Sequence, residues 1–267
     1  MTSKIATALN TEFPPVAIIW TDDKPEGAIE FKEGKWGCVM AQFANAAKGK
    51  TTSFSRKTFG CIGGGTGLGF GNQYLNWVGG VEGFCKFLSS GHSEADIERM
   101  AREMPGGRRA SFSENIIHGE GYFHSPEQAQ NLVDELPMRD VPAEYVIFHP
   151  LPEVKNEQPQ VIVFTVNPEQ LAALIVLAGY KRNRITNVIA PFAAGCQQVA
   201  LLPYAEAEKE HPQAIIGLTD ISARVYTRRI LGRDKLTFAV PFKMFLEMED
   251  NVEGSFLERE AWGKLIG

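Results

Sequence analysis

The sequence predicts a mixed α/β (α+β) fold in one compact, two-lobed body, and three observations lead to this class. Short apolar runs rich in β-branched residues, such as VAIIW and VIVFTV, are bounded by turn residues and are typical of buried strands. Between them lie segments with helical spacing of apolar residues and helix start signals. In the second half of the chain, strands and helices alternate. A length of 267 residues suits one large domain or two modest ones, and we predict a single domain over residues 1–267.

The first half begins with the predicted strand VAIIW after Pro14-Pro15. A helix is predicted from Cys38 to Gly49, because its apolar spacing and alanine content suit a helix that a glycine ends. Residues 51–59 alternate as a strand. The segment SEADIERMAREM carries a serine N-cap and predicts a helix that closes at Pro105-Gly106-Gly107.

The second half contains clearer signals. Serine followed by proline predicts a helix from Ser125 to Glu135. YVIFHPL, VIVFTV, VIAPF, AIIGLTD and LTFAVP are predicted strands. NPEQLAALIVLAGY is a predicted helix with Asn167 as its cap, Cys196 opens another, and FKMFLEME forms the last.

The two halves predict a degenerate repeat, with candidate units at residues 13–75 and 158–225. In each unit a strand is followed by a Gly-Cys pair with a helix and then by a second strand. The separations nearly agree, since 61 − 38 is 23 and 220 − 196 is 24. Self-similarity of this kind bears on the whole fold. It places Asp220 where Cys61 lies in the first unit.

Three of the four cysteines follow a glycine, and these are the candidate site residues: Cys38, Cys61 and Cys196. A helix N-terminus stabilises a thiolate, which is the form that binds metal or attacks an electrophile. Cys85 has no glycine before it and is assigned to the core. The alternative for the other three is that they too are small buried apolar residues.

No C-x-x-C pair is present, which disfavours a zinc finger, and the spacing misses the common ferredoxin patterns. Dispersed thiolates on loops can still hold an iron-sulfur cluster, so we predict a [4Fe-4S] cluster on the three cysteines. The glycine run GCIGGGTGLGFG would wrap it as a loop, with N–H groups of Gly63, Gly64 and Gly65 donating to its sulfurs. Asp220 is the candidate fourth ligand.

Three blocks of the sequence resemble domain-of-unknown-function family 169, which occurs in archaea and anaerobic bacteria. They are GCVMAQFANAAKGKTTSFSRKTFGCIGGGTGLGFG, PFAAGCQQVALLPYAEAEKEHPQAIIGLTDISAR and LTFAVPFKMFLEMEDNVEGSFL. The resemblance runs from PPVAIIW to Trp262. It implies that the three glycine-preceded cysteines occupy the family's cysteine positions, and it implies no reaction.

The predicted function is an iron-sulfur protein of redox or small-molecule metabolism with an open or non-cysteine fourth site. One alternative is a non-redox binding module for a metal or small ligand, built from the same thiolates and the segment TDISAR. Its Asp220 and Arg224 are candidate catalytic residues, since a guanidinium favours a nearby ionised carboxyl, and a structural ion pair is the other interpretation. A further alternative is that the cysteines are purely structural. Whether the chain is an enzyme stays open.

Charge and hydropathy restrict the partners that we expect. A net charge of −5 without a long basic cluster argues against nucleic acid. The longest apolar runs fall short of the roughly 20 residues that span a bilayer, and no signal peptide is recognisable. We therefore expect a cytoplasmic protein with reduced cysteines and a small molecule or an electron-transfer protein as partner. A homodimer is expected because two-fold assemblies are the commonest oligomers.

Overall fold

A computed structural model describes residues 1–103 and 113–266. The predicted helix end at Pro105-Gly106-Gly107 lies outside the described residues. The described chain has mixed α/β architecture, which confirms the predicted class. Its contacts divide it into two units, one of Met1–Gly71 with Arg139–Gly267 and one of Asn72–Met138.

The first unit is built on seven strands, which form one sheet. They are β1 (Val16–Thr21), β2 (Thr52–Ser55), β3 (Tyr145–Pro150), β4 (Val161–Val166), β5 (Val188–Ile189), β6 (Ala214–Gly217) and β7 (Leu236–Pro241). Their order is β2-β3-β1-β4-β7-β6-β5, antiparallel except for the β5–β6 pair. β1 and β4 are central and are almost continuously apolar, because helices cover both of their faces.

The first unit also contains eight helices and a π-helical segment. They are α1 (Lys4–Ala8), α2 (Val39–Ala47), α3 (Ile62–Gly67), α8 (Pro168–Gly179), the π segment (Gln197–Leu201), α9 (Leu202–Glu206), α10 (Ile221–Leu231), α11 (Phe242–Asp250) and α12 (Glu260–Ile266). One apolar core joins the sheet to α2, α10 and the π segment, and a second joins its other face to α1, α8, α11 and α12. The sheet is thus the middle of three layers.

Among its described residues, the second unit contains four α-helices: α4 (Gly80–Leu88), α5 (Glu94–Glu103), α6 (Glu114–His118) and α7 (Pro126–Glu135). Aromatic rings form part of its core, with Tyr74 stacked on Phe84 at a centroid distance of 3.9 Å. Cys85 is buried in α4, and its Sγ lies 3.6 Å from Oε1 of Gln130 on α7. α7 begins and ends where the sequence predicts, because Ser125 caps it and Pro126 occupies its first turn.

Three boundaries differ from the sequence predictions. The strand predicted over residues 51–59 pairs only at Thr52–Ser55. The glycine run, predicted to be a loop, forms α3. The strand AIIGLTD stops at Gly217, because the next residue, Leu218, has a φ of 59° in the left-handed region that a strand cannot use.

The predicted repeat can be compared with the strand order. Strands β2, β3 and β1 run from one edge of the sheet to its middle, and β6, β7 and β4 run inward from the other side, although β3 and β7 lie outside the predicted units 13–75 and 158–225. β1 pairs antiparallel with β4 where the halves meet. This is the order expected if β1, β2 and β3 correspond to β4, β6 and β7. A common origin of the halves stays a prediction.

Candidate functional site

The glycines before the three cysteines allow backbone segments to pack closely. Gly37 and Gly60 lie against the ring of Phe31, and a Cβ added to Gly60 would be 2.4 Å from the Gly37 carbonyl oxygen. Gly60 also has a φ of 80°, which favours glycine. A Cβ on Gly195 would lie 2.9 Å from Cγ of Met40 on α2. The Gly-Cys pairs therefore bring segments from distant parts of the chain together.

Two of the cysteines stand at helix N-termini. Cys38 precedes α2 and Cys61 precedes α3, both with extended backbone. The Cys61 Sγ accepts a hydrogen bond from the Gly64 N–H at 3.2 Å. The Cys38 Sγ makes no capping bond of that kind, although the first-turn amides of Met40 and Ala41 favour its ionised form.

Cys196 reaches α3 from the other half of the chain. It precedes the π segment, and its Sγ donates to the Gly63 carbonyl at 3.2 Å. The peptide between Gly63 and Gly64 therefore lies between two thiols, because its oxygen accepts from Cys196 and its N–H donates to Cys61. α3 can come this close because Gly67 has no side chain; a Cβ at this position would lie 2.7 Å from the Cys196 Sγ.

Two of the three N–H groups that were predicted to donate to a cluster, those of Gly64 and Gly65, are used within the protein. Gly64 donates to Cys61 Sγ, and the Gly65 N–H donates to the Cys61 carbonyl at 2.9 Å, as in an ordinary first helical turn. The run thus forms a helix whose small residues admit Cys196, rather than the predicted loop around a cofactor. Gly63 contributes its carbonyl oxygen to the site.

Asp220 caps α10 and is almost fully buried. Its Oδ1 accepts from the Ala223 N–H and the Ser222 hydroxyl, and its Oδ2 accepts from the Gly195 N–H at 2.9 Å. The last bond ties α10 to the residue before Cys196. We call Cys38, Cys61, Cys196 and Asp220 the thiol region.

Arg224, the other candidate catalytic residue, is held by backbone carbonyls. Its guanidinium donates to the carbonyls of Leu218, Lys235 and Arg233. The first of these bonds holds the left-handed Leu218 in place, two residues before Asp220. These contacts give Arg224 a structural role. None of the three is the ion pair with Asp220 that the sequence also suggested.

The members of the thiol region affect one another electrostatically. Burial is the main cause that raises the pKa of each thiol, to about 11 for Cys61 and well above the ordinary value for Cys196. Negative charge on Cys38 and on Asp220 raises the pKa of Cys61 further. At Cys38, burial and the smaller effect of the Asp220 charge raise the pKa, whereas the amides of Ala41 and Met40 lower it. The thiols are therefore protonated at neutral pH, contrary to the expectation that helix N-termini make them thiolates.

The iron-sulfur function predicted from the sequence is wrong. Among residues 1–103 and 113–266, no three or more His, Cys, Asp or Glu side chains are grouped so that they could hold a metal ion. Cys196 donates to a carbonyl, and Asp220, the predicted fourth ligand, is occupied with three donors. The predicted [4Fe-4S] cofactor and the predicted metal-binding role of Cys38 and Cys61 depended on the iron-sulfur function, and they are not proposed below.

Two structural features around the thiol region were missed from the sequence. The π segment after Cys196 is a rare geometry that is frequent at functional sites. Leu218 holds a left-handed conformation that is strained for a leucine. No composition signal marks either feature, and at Leu218 the carbonyl accepts a bond from Arg224, six residues further along the chain.

A groove of about 480 Å³ lies elsewhere in the first unit, over the ends of β1 and β3. Ile19 and Ile147 line it together with the mostly buried His149. The His149 Nδ1 lies 2.8 Å from the Thr51 hydroxyl, and burial lowers the pKa of the imidazole, so that it is neutral at pH 7. From the sequence this histidine reads only as a loop residue before a proline.

Comparison with known proteins gives the family. Residues 4–251 match the family described as Uncharacterised ArCR, domain-of-unknown-function family 169. The chain belongs to this family. The match spans nearly the whole chain and confirms the resemblance seen in the three sequence blocks. No curated protein and no solved structure matches the chain.

One further finding concerns membranes. In the part of the chain that the structure describes, every helix is too short or too polar to cross a bilayer.

Proposed function

We propose that this member of family 169 binds a small uncharged organic molecule at the thiol region. The observation that carries the proposal is the Gly63–Gly64 peptide, which bonds to Cys61 on one side and to Cys196 on the other, with Cys38 near enough to raise the pKa of both. Cys38 and Cys61 are partly exposed residues, whereas Cys196 is buried. The electron-transfer partner expected from the sequence depended on the cluster and is not part of the proposal.

The charge of the region supports this choice of ligand. The Asp220 carboxylate raises the pKa of Cys38, Cys61 and Cys196, which means that its field disfavours a second negative charge there. An anion would therefore bind poorly in spite of the helix N-termini. Neutral thiols offer a weak donor, a weak acceptor and a polarisable surface. These properties suit an uncharged molecule.

A library of small metabolites tested by thermal shift, together with native mass spectrometry of the purified protein, addresses the proposal. We expect at least one compound whose stabilisation disappears in Cys38→Ala or Cys61→Ala. Cys85→Ala is the matched control, because Cys85 belongs to the second unit and should leave the shift unchanged. Protein that carries no bound molecule and responds to no compound would contradict the proposal.

The groove at His149 is a second candidate site, favoured by its size and its neutral, buried imidazole. Its volume of about 480 Å³ falls in the range of roughly 300–1,000 Å³ that is typical of small-molecule sites, and Asp23, Lys24 and Glu157 give its lining a charged part beside the isoleucines. The same screen separates the two candidates. A compound that loses its stabilisation in His149→Ala and keeps it in Cys61→Ala binds the groove, and the reverse pattern assigns it to the thiol region.

A further inference from the structure

The groove at His149 forms because β1 extends beyond its pairing with the neighbouring strand. Pairing of β1 with β4 ends at Ile18, and β1 continues for three more residues. Beyond that point, no strand of the described chain pairs with this edge of β1. Residues 23–25, which follow β1, and residues 156–158, which precede β4, line the space that is left. The groove is therefore built from one open strand edge and two loops.

His149 contributes one unpartnered ring nitrogen to this groove. The residue is 9% exposed, and its Nδ1 lies 2.8 Å from the Thr51 hydroxyl and 3.9 Å from the Glu153 carboxylate. A carboxylate on that side favours a proton on Nδ1, which then donates to the hydroxyl oxygen. Nε2 is left as a hydrogen-bond acceptor and has no partner in the described part of the chain. A ligand with an N–H group would supply the missing donor.

The charged part of the lining is negative. Asp23 and Glu157 are exposed, and neither forms an ion pair within the described residues. The cation of the lining, Lys24, is already paired, because its Nζ lies 2.7 Å from Oε1 of Glu30. The backbone amide of Glu157 and those of the two preceding residues lower the pKa of its carboxyl, so that it is ionised at neutral pH. A cleft with one sign of charge attracts ligands of the opposite sign.

The rest of the groove suits an apolar body. Ile19 and Ile147 face each other across β1 and β3, and both line the groove. We propose that the groove binds a small organic amine. The protonated nitrogen donates to His149 and is attracted by Asp23 and Glu157, and the apolar body packs on the two isoleucines. This inference rests on the second candidate site of the proposed function and gives that site a class of ligand.

The thiol region fits a cation less well than the groove does. Its one carboxylate, that of Asp220, already accepts hydrogen bonds from Gly195, Ser222 and Ala223. Its thiols are protonated, and a protonated thiol is a weak acceptor. Cys61 is therefore a suitable control position for binding of an amine to the groove.

NMR titration of the full chain with three matched phenyl compounds tests the class of ligand. 2-Phenylethylamine is protonated at neutral pH, 2-phenylethanol has a similar body without a charge, and 3-phenylpropanoate carries the opposite charge. We expect the amine to bind at least about tenfold tighter than the alcohol, because hydrogen bonds from charged donors are the stronger ones. An alcohol or carboxylate that binds as tightly as the amine, or an amine without measurable binding at about 10 mM, would overturn the proposal. Neither outcome affects the thiol region, which is tested by Cys38→Ala and Cys61→Ala.

Neutral variants of the two carboxylates test where the amine binds. Asp23→Asn and Glu157→Gln should each weaken binding of the amine about fivefold and leave binding of the alcohol unchanged, as expected for an exposed ion pair. Asp22→Asn is the matched control, because the Asp22 carboxylate accepts from the Glu144 N–H and is not part of the groove lining. Cys61→Ala should have no effect. Equal losses in Asp22→Asn and Asp23→Asn, or a loss in Cys61→Ala, would overturn the proposed site.

The imidazole of His149 gives a readout that a merely structural role would not change. We expect long-range ¹H–¹⁵N spectra of the unaltered protein to show the tautomer with the proton on Nδ1, and the Nε2 signal to move when 2-phenylethylamine is added. His149→Phe keeps a ring and removes the acceptor, so it should weaken binding of the amine more than that of the alcohol. The tautomer with the proton on Nε2, or an Nε2 signal that the amine leaves unchanged, would overturn the proposal even if this variant does not fold.

Discussion

Two helix N-termini of the first unit occupy positions that the sequence predicts to be equivalent, yet their caps behave differently. Cys61 begins α3 with one long hydrogen bond from Gly64 at 3.2 Å, whereas Asp220 begins α10 with three donors. The carboxylate accepts from protein groups on both of its oxygens, whereas the thiol accepts one bond within its own helix. The comparison teaches that Asp220 ties α10 to the residue before Cys196, while the Cys61 cap ties no distant segment.

Removal of the Asp220 carboxylate should lower the free energy of unfolding more than any other change proposed for these two caps. Asp220→Ala leaves the buried Gly195 and Ala223 N–H groups without their acceptor. Loss of a cap costs about 1 kcal/mol, and an unpaired buried polar group costs about 1–3 kcal/mol. We expect the free energy of unfolding in urea to fall by about 3 kcal/mol. A loss below about 1 kcal/mol would mean that the cap does not tie the segments together.

Disruption of the contact between α3 and Cys196 should have the next largest effect on the free energy of unfolding. Gly67→Ala places a Cβ 2.7 Å from the Cys196 Sγ and 2.9 Å from its backbone carbon, so the helices must separate. Overpacking of this kind costs typically about 1–3 kcal/mol. Gly63→Ala is the matched control, since nothing lies within 4 Å of its Cβ position, and helix propensity predicts a gain of up to about 1 kcal/mol. Equal effects at both positions would contradict the close packing.

A smaller effect is expected on the rate at which Cys61 is alkylated, because this rate depends on the protonation state of the thiol. A pKa of about 11 lowers the thiolate fraction at pH 7 roughly hundredfold below that of a thiol with its ordinary value near 9. Higher intrinsic nucleophilicity compensates for part of this loss, so alkylation should be about tenfold slower than in the urea-unfolded chain. Peptide mapping after iodoacetamide treatment measures the rate.

The same pKa sets the direction of the pH dependence. Because the folded pKa lies above the unfolded one, the alkylation rate should keep rising with pH up to about 11. The stability associated with the protonated thiol is present below about pH 9 and is lost between about 9 and 11. A rate that levels off near pH 7 would show that Cys61 is a thiolate, as a helix N-terminus alone predicts.

The smallest effect is expected for the thiol cap itself. Cys61→Ala removes the single bond from Gly64, which should cost at most about 1 kcal/mol. Cys61→Ser keeps an acceptor and should be near neutral, because serine is a preferred N-cap. If Cys61→Ala costs as much as Asp220→Ala in urea unfolding, the two caps are equivalent and the contrast between them fails.

The sequence by itself determined the elements whose signals are local. β1, β4 and β7 follow apolar runs, α7 and α8 begin at Ser125 and Asn167, and glycine ends the helix after Cys38. Caps and strand patterns act over a few residues, so they can be read without knowledge of the fold. The family was also determined at this level, from three blocks of sequence.

Only the tertiary structure decided what the cysteines do. The glycine run has poor helix propensity and predicts a loop, yet it is a helix because Gly67 admits Cys196 against it. Helix N-termini predict thiolates, but burial and the Asp220 charge outweigh them. Contact between Cys196 and Gly63 joins segments 133 residues apart, and the bond from Gly195 to Asp220 joins residues 25 apart, and no local pattern records either contact.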